Sequence, residues 1–133
     1  MFVDTSFCVD LLREQHHRRV GPATRRLQDL GDTPLEASVF VVCELQAGAR
    51  LSDNPERELR TVGRLAASFG VVYPDATFPV AYGEVEAYLR KQGKPIPTMD
   101  LLIGVQARIL GIPLLTRDTE HFGRIPGLVV ETY

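Results

Sequence analysis

The feature that most constrains the fold is a series of very short apolar runs, each followed by a stretch of helical periodicity. The runs lack the polar alternation of a sheet with one solvated face, so they are typical of parallel strands covered by helices on both sides. They fall at residues 2–3, 35–38, 71–73, 112–116 and 128–130. With 133 residues, the sequence predicts a single α/β domain over 1–133. We expect a three-layer α/β/α arrangement around a short-stranded, mostly parallel central sheet.

The helical segments are recognised by apolar residues at three- and four-residue spacing and by their ends. Ser6 is the predicted N-cap of the first helix, and Thr98 that of the last long one. Residues 117–122 are expected to form a loop or a short helical turn. After the first helix, further helices are predicted at residues 20–30, 39–49, 56–69, 78–90 and 100–110, the last of them capped by Thr98.

Composition excludes some classes of function. A formal charge of −2 and a pI of about 5.9 are not those of a protein that binds nucleic acid by bulk electrostatics. They do not exclude nucleic acid as a ligand, because an acidic cluster lowers the net charge while basic residues line a groove elsewhere. Cys8 and Cys43 lie among apolar neighbours, so we expect two buried thiols rather than a disulfide. We expect no signal peptide, no membrane-spanning segment and a cytoplasmic location.

Four acidic residues occupy the positions where an open parallel sheet places its active site, at the carboxyl ends of its strands. Asp4 directly follows the first apolar run, and Asp118 lies two residues past the fourth. Asp100 falls in the first turn of a markedly apolar helix, and Glu44 lies in the helix after the second run. Each acid alone is explained by a helix cap, a turn or an arginine partner. Their shared placement at one edge of the sheet favours a common site.

Carboxylates that converge on one point repel one another, and a bound cation removes that repulsion. Oxygen ligands with open water positions are typical of Mg²⁺ or Mn²⁺ rather than zinc. One or two such ions can activate water and stabilise the transition state of phosphodiester hydrolysis. We therefore expect metal-activated water to be the nucleophile, with no covalent intermediate.

Four sequence blocks, in the same order along the chain, resemble those of PIN-domain proteins. They are Val-Asp-Thr-Ser at residues 3–6, the segment 38–45 with its helical Glu, Pro-Thr-Met-Asp-Leu-Leu-Ile at 97–103, and Leu-Leu-Thr-Arg-Asp at 114–118. The fourth block continues into His-Phe at 121–122 and Ile-Pro-Gly-Leu at 125–128, which look most like the VapC-type toxins of bacterial toxin–antitoxin pairs.

This resemblance implies an Mg²⁺- or Mn²⁺-dependent endoribonuclease that cuts RNA. It also implies a homodimer that a cognate, VapB-like antitoxin inhibits by covering the active site. The residues that carry over as metal-binding and catalytic are Asp4, Glu44, Asp100 and Asp118, with Thr116, Ser6, Thr5 and Thr98 in support.

Several alternatives stay open. Glu120 lies close enough to replace Asp118, although Asp118 is nearer the strand end, and Asp10 is expected to face solvent or an arginine. We expect His121 to pack beside the site without a chemical role. A catalytically inactive PIN-like protein-binding module is the main functional alternative. A receiver domain or a haloacid-type phosphatase would need an acidic pair or Asp-x-Asp after the first strand, which the segment at Asp4 lacks.

Overall fold

The computed structural model describes residues 1–133 and confirms the alternation of strands and helices. The strands are β1 (Phe2–Val3), β2 (Glu36–Ser38), β3 (Gly70–Val72), β4 (Leu114–Leu115) and β5 (Val130–Glu131). The helices are α1 (Thr5–His16), α2 (Pro22–Leu30), α3 (Val39–Arg50), α4 (Pro55–Ala67), α5 (Phe78–Lys91), α6 (Thr98–Leu110) and α7 (Thr119–Phe122). Most predicted boundaries lie within two or three residues of these. The strand predicted at 112–116 contracts to its two central leucines.

The five strands form one sheet in the order β3-β2-β1-β4-β5, and every pairing is parallel. In the centre, Val3 of β1 is in register with Ala37 of β2 on one side and Leu115 of β4 on the other. The chain runs outwards from β1 in one direction to β3 and in the other to β5. The strand order therefore reverses between β1 and β4, which is where open α/β sheets leave a crevice for ligands.

The central strands are completely buried, as their uninterrupted apolar sequence predicts. Phe2, Val3, Leu114 and Leu115 each expose 0% of their surface. They belong to one core cluster of 24 buried apolar residues, to which the helices contribute their apolar sides. This core fixes the ends of β1 and β4, so residues that immediately follow these strands have little freedom of position.

Two predicted helix caps are wrong. Asp4, not Ser6, is the N-cap of α1, where its carboxylate accepts a hydrogen bond from the backbone N–H of Phe7. Asp4 has extended backbone geometry, whereas Ser6 already lies within the helix. In α6, Pro97 occupies the cap position and Thr98 is the first helical residue, without a side-chain capping bond. In the first case, a carboxylate two residues earlier takes the cap position from the hydroxyl.

The expectation of two buried thiols is correct for Cys8 and wrong for Cys43, which is exposed. In α3 the buried residues are Val41, Leu45 and Ala49, at four-residue spacing. Cys43 therefore lies on the opposite side of a helix that is apolar nearly all round. Both cysteines are free thiols. Burial raises the pKa of the Cys8 thiol to about 12.

A buried glutamate closes the junction between the first two helices. The Glu14 carboxylate accepts hydrogen bonds from the backbone N–H groups of Gly21, Ala23 and Thr24 and from the Thr24 hydroxyl. A Cβ at Gly21 would lie 2.1 Å from the Glu14 carboxylate, so only glycine leaves room for this contact. Glu14 thus satisfies the N–H groups at the start of α2, a structural role for a buried charge.

No helix combines the length and the apolar character that crossing a membrane requires.

Candidate active site

A polar pocket of about 540 Å³ opens at the carboxyl edge of the sheet, beside the ends of β1 and β4. All four predicted acids line it. Its walls are formed by Asp4, Thr5, Ser6, Glu44, Asp100, Ile103, Arg117, Asp118, Thr119, Glu120 and Phe122. The topology thus brings together acids that are separated by more than a hundred residues of sequence.

Asp4 is the most deeply buried of the four, with 4% of its surface exposed. The Ser6 hydroxyl lies 2.8 Å from both carboxylate oxygens, and Thr116 donates to Oδ2 at 2.5 Å. The N–H of Phe7 donates to Oδ1 at 2.9 Å. These donors hold the Asp4 carboxylate in one orientation at the end of β1.

The other two predicted threonines behave differently from each other. Thr5 donates a short hydrogen bond to the Glu44 carboxylate and so joins the start of α1 to α3. Thr98 is exposed and does not line the pocket. Of the four residues expected in support, Ser6, Thr116 and Thr5 contact site acids and Thr98 does not.

Thr116 connects the two sides of the pocket. While its hydroxyl donates to Asp4, its oxygen accepts a 2.9 Å hydrogen bond from the backbone N–H of Asp118. Asp118 in turn caps α7, where its Oδ1 accepts from the N–H of His121 at 3.0 Å. The orientation of the short helix is therefore tied to the end of β4 through one fully buried hydroxyl.

Asp100, Asp118 and His121 form the tightest group of potential ligands. Their donor atoms all lie within 4.8 Å of one another. The Nδ1 atom of His121 is 2.6 Å from Oδ2 of Asp118 and 3.2 Å from Oδ2 of Asp100. The three side chains are each about one third exposed, so a small ion can reach them from solvent.

The electrostatics of the pocket reflect its excess of negative charge. The pKa of Asp100 is raised by burial and by the neighbouring charge of Asp118, with smaller contributions of the same sign from Glu44 and Asp4. Burial raises the pKa of Asp4 as well, although its hydrogen bonds oppose this. The ionised state of Asp100 is thus disfavoured by burial and by neighbouring carboxylates, whose charge a bound cation would neutralise.

Arg117 is the one basic residue among those that line the pocket. Its guanidinium pairs with Asp10 at 2.6 Å, and its backbone N–H donates to Ser6. The Tyr133 hydroxyl also donates to Asp10, at 2.9 Å. Asp10 therefore faces arginine, as the sequence predicts, and supports Arg117 from outside the acidic group.

Glu120 lies at the rim of the pocket and turns away from the other acids. Its side chain is 79% exposed and pairs with Arg124 at 2.6 Å. Of Asp118 and Glu120, only Asp118 belongs to the group of ligand atoms that lie within 4.8 Å of Asp100.

Sequence reasoning did not give His121 a role in the site, yet its ring lies between two of the acids. The available signal was its position three residues after Asp118, in a segment recognised as a short helical turn. Three-residue spacing on a helix puts two side chains on the same side.

The donor set of the pocket fits a hard divalent cation. Four carboxylates at one sheet edge supply oxygen ligands, and their mutual repulsion supplies the reason to bind a positive charge. The buried Nδ1 atom of His121 has no hydrogen-bond partner, despite its short contacts to two carboxylates. An unsatisfied buried donor or acceptor is costly, and a shared ion would remove this cost.

Comparison with known proteins agrees with this geometry. The PIN-domain family profile matches residues 1–128. Ribonuclease VapC1 of Haemophilus influenzae (strain R2866) is 32% identical over 126 residues, which cover 95% of this chain and 92% of that protein. The tRNA(fMet)-specific endonuclease VapC of Shigella flexneri is 29% identical over 132 residues, or 98% of this chain and 96% of that one.

The solved structures give the same result. The crystal structure of VapBC2 from Rickettsia felis, bound to a DNA fragment from their promoter, contains a chain that superimposes with a TM-score of 0.87. That chain is 25% identical, and the match covers 99% of this chain and 97% of the other. The present chain belongs to the PIN-domain family, among its VapC ribonucleases. Nucleases of this family are metal-dependent, and the carboxylate group described above fits that requirement.

Proposed function

We propose that this protein is an endoribonuclease in which Asp4, Glu44, Asp100 and Asp118 bind Mg²⁺ or Mn²⁺, one or two ions per site. Residues 1–133 act as a single PIN domain, and the enzyme works in the cytoplasm on RNA. The observation that carries the proposal is the convergence of the four acids at the strand-order reversal of the sheet, in a pocket with one arginine. Such a pocket repels RNA unless a cation is bound.

The bound cation would lower the pKa of a water molecule and neutralise charge on the cleaved phosphodiester. The chain's own contribution is to fix the ligands. Asp4 is oriented by Ser6 and Thr116, and Glu44 by Thr5, so both carboxylates keep their positions when the ion exchanges. Asp100 stands at the start of α6, where the helix N-terminus supports its negative charge.

Arg117 supplies the positive charge that the acids lack for holding RNA. Its side chain is 61% exposed, while Asp10 holds its position beside the pocket. A guanidinium in this place can contact a phosphate next to the cleaved bond through two parallel hydrogen bonds. It would contribute to RNA binding more than to the chemical step.

We further propose that the protein is the toxin of a type II toxin–antitoxin pair and is inhibited by a VapB-like antitoxin. The Rickettsia felis relative was crystallised as a VapBC2 complex. In the present chain, a groove beside α1, α3 and α4 has an apolar floor that includes Val9, Leu45 and Val62. A helix with an apolar side fits such a groove.

Glu44 lines both this groove and the acidic pocket. A protein segment bound in the groove therefore ends beside a proposed metal ligand, and a few further residues would cover the pocket. This continuity gives a physical route by which one partner both binds and inhibits. We also propose a homodimer, in which exposed apolar side chains such as Val80 and Tyr88 of α5, at 66% and 47% exposure, would be covered.

The test is cleavage of total bacterial RNA by purified, antitoxin-free protein, with Mg²⁺, with Mn²⁺ and with EDTA. We expect discrete fragments that require metal, and sequencing their ends gives the target; transfer RNA is the first pool to inspect, given the substrate named for the Shigella flexneri relative. Asp100→Asn should yield no fragments. Glu120→Gln is the matched control, because Glu120 lies at the same pocket but pairs with Arg124.

Absence of cleavage by folded protein at every metal concentration, with RNA from several bacteria, would contradict the proposal. It would favour the alternative, a catalytically inactive PIN-like module that only binds a partner. A growth assay separates the two in cells. Expression without antitoxin should arrest a bacterial host, and the Asp4→Asn protein should not.

A further inference from the structure

His121 lies where a metal ligand would lie, although the acids alone are assigned to that role. Its Nδ1 atom contacts Asp118 at 2.6 Å and Asp100 at 3.2 Å. Neither contact has the geometry of a hydrogen bond, and the nitrogen is buried without a partner. The ring nitrogen therefore points into the space between two carboxylates without being satisfied by either.

The distances from Nδ1 of His121 to the two carboxylates are those of neighbouring ligands in one coordination sphere. In an octahedral site with ligands at 2.0–2.1 Å, neighbouring ligand atoms are about 3 Å apart and opposite ones about 4 Å apart. The two nitrogen–oxygen distances of 2.6 and 3.2 Å bracket the value for neighbours. All three atoms lie within 4.8 Å of one another, so a small adjustment of the partly exposed Asp118 or Asp100 side chain brings them around one ion.

The position of the His121 imidazole is fixed by the packing of its helix and by its backbone, not by hydrogen bonds of the ring. The next residue, Phe122, is 1% exposed and packs against α6 at Gly104. A Cβ at Gly104 would lie 2.3 Å from Ile125 and 3.1 Å from Phe122, so the glycine is what allows α7 to approach Asp100 this closely. The backbone N–H of His121 is also held by Asp118. The packing of α7 against α6 therefore places the imidazole ring beside the two carboxylates.

We propose that Nδ1 of His121 binds the divalent cation directly, together with Asp100 and Asp118, and that the site consequently prefers Mn²⁺ to Mg²⁺. This rests on the proposed metal-dependent function and adds a nitrogen to an otherwise all-oxygen site. Carboxylate and water oxygens suit both ions, but Mn²⁺ is a transition metal of the Irving–Williams series and accepts an imidazole nitrogen more readily than the harder Mg²⁺ does. A nitrogen ligand therefore strengthens binding of Mn²⁺ more than binding of Mg²⁺.

Pulsed electron paramagnetic resonance of the Mn²⁺-loaded, RNA-free protein tests the nitrogen ligand without any activity measurement. We expect a directly bonded nitrogen coupling that changes when histidine alone is labelled with ¹⁵N. The coupling should disappear in His121→Ala and His121→Gln. It should persist in His17→Ala, the control, because His17 is exposed and lies in the groove outside the acidic pocket.

Calorimetric titration measures the preference. Loss of the imidazole should weaken Mn²⁺ binding by at least about tenfold and leave Mg²⁺ binding much less affected. Mn²⁺ that binds to the unaltered protein without a nitrogen coupling would overturn the role of His121 and leave the proposed function standing. A protein that binds neither ion would overturn both. The labelling experiment uses the unaltered protein, so it shows whether a histidine nitrogen binds Mn²⁺ even if a His121 variant fails to fold.

Discussion

Glu14 is a buried acid and Asp100 a partly buried one, and the protein treats their charges in opposite ways. Glu14 is surrounded by donors, three backbone N–H groups and one hydroxyl, all from residues 21–24. Asp100 is surrounded by other acids and by one imidazole. The hydrogen bonds lower the pKa of Glu14 despite the opposing effect of burial, whereas burial and like charge raise the pKa of Asp100.

The difference separates a structural carboxylate from a functional one. Where an acid only stabilises the fold, the chain itself supplies the compensating donors, and no external ligand is needed. At Asp100 the chain supplies no such donors, and the repulsion from the neighbouring carboxylates remains until a cation binds. The comparison therefore predicts opposite consequences when each carboxylate is replaced by its amide.

The largest effect is expected for RNA cleavage. Asp100→Asn or Asp4→Asn should lower the rate by about 10³-fold or more, since each removes a charged ligand from a metal worth several kcal/mol to the transition state. Glu14→Gln should cleave at the rate of the unaltered protein below its melting temperature. Cleavage rates under single-turnover conditions check this, and equal losses in all three variants would erase the distinction.

A smaller loss of activity is expected at Thr116, which contacts Asp4 and Asp118 without being a ligand. Thr116→Val keeps the shape of the side chain and removes both hydrogen bonds. Loss of such an outer contact typically costs about 10–100-fold in metal affinity or activity. Titrating Mn²⁺ into the cleavage reaction should show a higher half-saturating concentration, and Thr116→Ser should restore it.

Glu14→Gln should instead reduce stability, by about 1.5–3 kcal/mol, because a charged acceptor of several hydrogen bonds is lost in a buried position. Chemical denaturation followed by circular dichroism measures the change. Glu86→Gln is a suitable control, since Glu86 pairs with Arg90, whose side chain is 72% exposed, and accepts no hydrogen bond from a backbone N–H. A loss of less than half a kcal/mol, within the range of ordinary surface substitutions, would mean that the donors at the start of α2 do not need the charge.

The smallest effect is a pH dependence of stability in EDTA. The pKa of Asp100 is higher in the folded protein than in the unfolded chain, so the folded state binds more protons in the interval between the two values. Stability should therefore fall as the pH rises through that interval, above the ordinary range of aspartate. Asp100→Asn should flatten this decline and raise the melting temperature by a few degrees at neutral pH. A variant that melts lower at every pH would show that Asp100 stabilises the fold.

Much of the site could be predicted because its residues are tied to strand ends. Asp4 and Asp118 follow apolar runs, and the parallel order of the sheet then brings them to one edge. Contacts that depend on side-chain direction could not be found this way. Helix α3 is apolar nearly all round, so its periodicity does not indicate which side faces solvent. The burial of Cys43 was wrongly predicted for this reason.

Polar contacts between residues far apart in the sequence were the second feature that could not be predicted. The link from Arg117 through Asp10 to Tyr133 joins residues more than a hundred positions apart, and no local spacing indicates it. The position of His121 depends on how closely α7 approaches α6, which Gly104 decides. A glycine inside a helical pattern signals close packing only after its neighbour in space is known.

The most direct test of the contrast between the two carboxylates is the melting temperature of three proteins, each with EDTA and with saturating Mn²⁺. A ligand at about 100 times its dissociation constant stabilises the folded state by about 2.7 kcal/mol, which is readily measured for a protein of this size. We predict that Mn²⁺ raises the melting temperature of the unaltered protein and of Glu14→Gln by the same amount and leaves Asp100→Asn unchanged. An equal rise in Asp100→Asn, or no rise in the unaltered protein, would contradict the assignment of Asp100 to a cation site.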